Sequence, residues 1–106
     1  MFFEPKAKKK TREFVKYINF LSQTCSNEYI DTFGLTKRQL LQKFITETEE
    51  YIKYNEWGVG LEHILVQLYE VEFTIDEKAI QLAKDALHEC GFELDKWKII
   101  DELKAK

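Results

Sequence analysis

The sequence predicts an all-α fold, a compact bundle of about five to six helices joined by short loops. Apolar residues recur at steps of three and four along most of the chain. No segment alternates convincingly with period two; Val71–Ile75 comes closest and is short. Four Gly and one Pro are too few for the many tight turns of a sandwich or barrel. The chain has 106 residues, of which 44% are hydrophobic and 14% aromatic, enough for one real core. The expected organisation is a single helical domain over residues 1–106.

Taken in order, Phe14, Val15, Ile18 and Leu21 predict a helix over about 11–23. The basic arm before it, residues 1–10, is expected to fray, because adjacent lysines repel one another at the unfavourable end of the helix dipole. Ser26 is positioned to cap a short helix holding Tyr29, Ile30 and Phe33, which Gly34 would stop. Thr36 with Gln39 three residues on forms a capping box, each side chain satisfying an open backbone N–H. It opens a helix to about Tyr54 with Leu40, Leu41, Phe44, Ile45, Thr48, Tyr51 and Ile52 on one stripe. Across residues 55–60 a turn or sharp kink is expected, since Gly58 and Gly60 each lower helix propensity by about 1 kcal/mol. Trp57 would pack beside that turn, its glycines allowing two helices to approach closely. A helix then runs from Leu61 to about Phe73, burying Leu61, Ile64, Leu65 and Leu68. Thr74 and Glu77 repeat the capping box and open a helix with Ile80, Ala83, Leu87 and Cys90 inward, stopped by Gly91. Asp95 is expected to cap a last short helix, with Trp97, Ile100 and Leu103 inward.

The net charge of −3 hides a segregation. Residues 1–20 carry six cations against two acids, while residues 45–77 carry nine acids against Lys53 alone. An acidic middle third projects a negative field over about a Debye length, roughly 8 Å at physiological salt. That field repels nucleic acid and attracts cationic proteins. The Lys8–Lys10 tract is a small basic cluster without interleaved aromatics for stacking bases, so direct nucleic-acid binding is not expected.

Chemistry-bearing motifs are sparse. His63 and His88 fit no zinc-ligand spacing, Cys25 and Cys90 form no CxxC pair, and no phosphate-binding glycine loop occurs. Carboxylate pairs such as Glu47–Glu50 sit on polar helix faces, where nothing raises one pKa for acid–base work. No enzymatic activity, metal or cofactor is therefore expected. No apolar run approaches the roughly 20 residues of a membrane span, and the first residues lack a signal-peptide pattern. A reduced, cytoplasmic setting is the expectation.

The stretch Trp57–Glu70, read as WGVGLEHILVQLYE, followed by Phe73-Thr74-Ile75-Asp76, resembles the central part of small helical immunity proteins of the MafI type. The shared pattern is an acidic helix opening on a small residue and Leu-Glu, an apolar helix ending in Leu-Tyr-Glu, then a short helix start. It covers residues 45–94. The resemblance implies a non-catalytic protein of contact-dependent growth inhibition between bacteria. Such a protein binds and neutralises a cognate toxin, in the nearest systems an EndoU-like RNase. It carries over no binding residue. The charge pattern agrees, because a nuclease site is cationic and an acidic inhibitor associates with it quickly. The candidate partner-binding residues are Glu47, Glu50, Tyr54, Glu56, Trp57, Glu70, Glu72 and Asp76, with the aromatics as desolvated anchors. The alternative is a non-catalytic adaptor using the same acidic face on another protein.

Overall fold

The structure is a computed structural model that describes residues 4–24, 29–30 and 34–104. The elements in order are α1 (Lys6–Ser22), β1 (Tyr29–Ile30), β2 (Leu35–Thr36), α2 (Lys37–Lys53), α3 (Trp57–Glu70), α4 (Glu77–Glu89), a 3₁₀ turn (Leu94–Trp97) and α5 (Ile99–Glu102). This is the expected all-α bundle. Helix α1 packs against α4, α2 and α3, and α2 lies along α3, while α5 closes the end formed by α3 and α4. One core joins them, built from Phe14 and Ile18, Leu41 and Phe44, Leu61, Ile64, Leu65 and Leu68, Ala83 and Leu87, and Ile100.

Several local expectations need correction. The Lys6–Lys10 tract does not fray; α1 begins at Lys6, directly after Pro5. Proline is pre-set for a helix start and needs no N–H there. The lysines find company: Lys10 pairs with Glu13, Arg12 pairs with Glu4, and Lys8 lies 6.0 Å from the Trp57 ring centre. Thr11 is fully buried, and its hydroxyl donates to the Ala7 carbonyl. The short helix expected around Tyr29–Phe33 is not present at Tyr29–Ile30, which pair antiparallel with Leu35–Thr36. Gly34, at φ 65°, turns the chain into that ribbon. Ser26 and Phe33 lie outside the described residues.

The Thr36–Gln39 capping box forms in full. The second one does not: Asp76 caps α4 by accepting the Ala79 N–H, so Thr74 is displaced from that role. Ile75 explains this, because its extended backbone bridges Lys104 and accepts no helical start before residue 76. Asp95 likewise caps nothing; it sits in the first turn of the 3₁₀ segment. The turn expected at residues 55–60 falls on Tyr54–Glu56, and both Gly58 and Gly60 lie inside α3, which starts four residues before the predicted Leu61. The expected close approach is real at Gly60, where a Cβ would stand 2.9 Å from the Cβ of Tyr51 and 3.2 Å from the Thr48 carbonyl oxygen. Glycine there lets α3 press directly onto α2.

Three helices end on the same device, a residue at positive φ followed by a backbone bond reaching back five residues. Gly91 does this after α4, as its sequence position predicts, with Phe92 N–H bonding Leu87. Asn55 does it after α2, with Glu56 N–H bonding Tyr51. Glu72 does it after α3, at φ 54°, with Phe73 N–H bonding Leu68, so α3 stops at Glu70 short of the predicted Phe73.

Candidate functional site

The eight predicted contact residues separate into three groups. Glu47, Glu50, Tyr54 and Glu56 converge on one open cavity of about 310 Å³, together with Tyr51 and His63. Glu47, Glu50 and Tyr51 come from one face of α2, at helical steps of three and four. His63 comes from α3, and its ring packs 5.6 Å from that of Tyr51. Its Nε2 lies 3.3 Å from Glu47 Oε1, and Lys43 approaches the same carboxylate from solvent. The side chains of Glu50 and Glu56 have no ion-pair or hydrogen-bond partner among the described residues. Tyr54 is 65% exposed, with the Lys53 ammonium 5.7 Å from its ring centre. The turn at Asn55 aims Glu56 back over α2, since the Glu56 N–H is tied to the Tyr51 carbonyl.

Glu70 and Glu72 lie at the far end of α3, about 20 Å from its start. They line a second cavity of about 490 Å³ with Tyr69, Phe73 and Glu102. The Glu102 carboxylate acting on the Tyr69 hydroxyl holds that phenol above its usual titration range, with Glu70 and Glu72 adding to the effect. The side chains of Glu70 and Glu72, like those of Glu50 and Glu56, lack a cationic partner among the described residues.

Trp57 and Asp76 stand apart. Trp57 is half-buried against the core. Asp76 caps α4 and accepts a 2.5 Å hydrogen bond from the Tyr17 hydroxyl, which raises the pKa of that phenol. Both carboxylate oxygens of Asp76 are thus engaged within the fold.

Sequence reasoning missed Tyr51 and His63 as cavity walls. Tyr51 was legible only as a core-stripe residue, and His63 reaches the cavity because α3 crosses α2 at Gly60. It also missed Val59 and Val66, which line the outward side of α3 with Glu62. A 3.6-residue projection of α3 puts Val59, Val66 and Glu70 in line, opposite the buried Leu61, Leu65 and Leu68.

A groove of about 670 Å³ lies elsewhere, between α1 and the end of α2. Lys8, Lys9, Arg12, Lys16 and Lys53 line it, interleaved with Glu4, Glu13 and Glu49. Cations and carboxylates offset one another there, so its charge is far less one-sided than that around Glu50 and Glu56. Among the described residues, no group of three His, Cys, Asp or Glu side chains could hold a metal ion. Cys90 is half-buried, and burial raises its thiol pKa while its contact with Thr11 opposes that rise. Among the same residues, no helix is long and apolar enough to cross a membrane. Compared with family models, curated proteins and solved structures, the chain matches none.

Proposed function

We propose that this chain is a cytoplasmic immunity protein that captures a cationic toxin on the acidic side of α2 and α3. The toxin of best fit is a nuclease, whose phosphate-gripping site is positively charged. The observation that carries the reading is the convergence of Glu47, Glu50 and Glu56 with the exposed Tyr54 on one cavity, two of the three carboxylates being without partners among the described residues. Leaving like charges close together costs folding energy through mutual repulsion, and that cost is recovered when a cationic surface covers them. Such charges steer encounter and so act mainly on the association rate. The exposed tyrosine supplies an amphipathic ring for the desolvated centre of a contact.

The experiment is stopped-flow association with the protein encoded by the adjacent reading frame, at several salt concentrations. Replacing Glu50 and Glu56 together by lysine is expected to slow association about tenfold or more at low salt, with a smaller effect on dissociation. Replacing Lys9 and Lys16 by glutamate is expected not to slow it. Unchanged rates in the first variant, or a neighbouring product that is neither basic nor bound, would remove the proposal. Tight binding to a partner that is not a toxin would favour the adaptor reading instead.

A further inference from the structure

We infer that the outward ridge of α3 is the apolar centre of a docking surface whose occupant is a basic, amphipathic segment of a partner protein. This inference rests on the acidic-face reading and deepens it by adding the contacts that charge alone does not supply.

Helix α3 is already packed on one side, through Gly60, Leu61, Ile64, Leu65 and Leu68. Its opposite side nonetheless carries Val59 and Val66, which are 49% and 37% exposed, and Tyr69, 40% exposed, stands on the flank between the two sides. Single exposed apolar residues are ordinary on a protein surface. Two in line on one helical ridge with an exposed tyrosine on its flank, in a helix with no lysine or arginine, are not what a solvated face requires. The ridge also links the two acidic cavities, running from the Glu56 end to the Glu70 end. A stable protein contact covers about 800 Å² on each side, a patch roughly 30 Å across. Neither cavity has that extent alone, whereas α3 is about 20 Å long before its flanking side chains are added. An apolar centre with a charged rim and tyrosines towards both ends is the anatomy of an interface.

Charge decides the occupant. Glu56, Glu62, Glu70 and Glu72 flank the ridge, so a cationic partner is complementary and an anionic membrane surface is repelled. A second copy docking by two-fold symmetry would set the same carboxylates against one another. The apolar residues require that the partner's cations alternate with aliphatic side chains at helical spacing.

The test titrates the isotope-labelled full chain with two synthetic peptides of equal charge, one alternating Lys and Leu as an amphipathic helix, the other Lys and Gln. The Lys/Leu peptide is expected to bind about tenfold more tightly, with amide shifts along Val59–Glu70. A Val59→Ser, Val66→Ser double variant with an unchanged circular dichroism spectrum should lose that advantage and bind Lys/Gln as before. Equal binding of both peptides, or no effect of the serines, would overturn the ridge and leave the acidic-face reading standing. Binding of neither peptide would overturn both. Concentration-dependent self-association that shifts the same amides would assign the ridge to a second copy and overturn the stated occupant.

Discussion

Helices α1 and α3 lie against the same core, α1 through Phe14, Val15 and Ile18, α3 through Leu61, Ile64, Leu65 and Leu68. Their other sides differ. Helix α1 carries five lysines and an arginine, set among Glu4, Glu13 and Glu49, with Lys10 and Arg12 in ion pairs. Helix α3 carries no lysine or arginine, two glutamates, and apolar residues left in water. The more highly charged helix therefore has the more ordinary surface. Density of charge is a weak guide to a binding face; charge without a neutralising partner, beside exposed apolar side chains, is a stronger one, because both features cost energy until something covers them.

That contrast can be broken by mutation. The largest effect belongs to the packed side of α3. Leu68→Ala should lower stability by about 2–5 kcal/mol through the cavity it leaves, as should Ile18→Ala on α1. Val66→Ser, on the outward side, should change stability by no more than about 0.5 kcal/mol. Chemical denaturation measures all three, and a loss above about 1 kcal/mol at Val66 would make its side chain part of the core.

A smaller effect, of opposite sign, is expected at the end of α3. Glu72 holds a left-handed conformation that costs a non-glycine residue about 1–2 kcal/mol. Glu72→Gly should therefore stabilise the fold by about 1 kcal/mol while removing one carboxylate from the acidic rim. Denaturation and association kinetics on the same variant separate the two consequences. A variant both no more stable and no slower to bind a cationic partner would leave that strained glutamate without a role.

The smallest effect sharpens the difference between paired and unpaired acids. Glu77 and Lys104 form an exposed ion pair at 2.8 Å, which lowers the pKa of Glu77 and raises that of Lys104. Stability from the lowered carboxyl is present above about pH 4.3 and is lost as pH falls through its folded value. Stability from the raised ammonium is present below about pH 10.4 and is lost as pH rises through its folded value. Lys104→Ala should return the Glu77 titration midpoint, followed by NMR, towards the ordinary carboxylate range. Both groups are exposed, so the change in unfolding temperature should be small. An unmoved Glu77 midpoint would show that Lys104 leaves Glu77 as unpartnered as Glu70.

The helices were legible because the signals for them are local. Spacing at three and four marks the stripes of α2, α3 and α4, and the Thr36–Gln39 box is a contact between residues one turn apart. Gly91 was legible as a stop for the same reason. The helix starts at Lys6 and Asp76 were not, because each was decided against a competing cap or a charge repulsion by partners distant in sequence. Ile75 meets Lys104, and Lys8 meets Trp57. Asn55 and Glu72 as chain reversals were equally hidden, since neither residue type demands positive φ.

For the candidate site, sequence alone determined that acids concentrate in residues 45–77, because composition is additive along the chain. It could not determine their grouping. Only the crossing of α3 over α2 at Gly60 brought His63 beside Glu47 and Tyr51, and only the length of α3 moved Glu70 and Glu72 to the other end. Asp76 became a helix cap with a tyrosine on its second oxygen. Linear order sets how much charge a region holds; rigid helices packed at fixed angles set which of those charges meet.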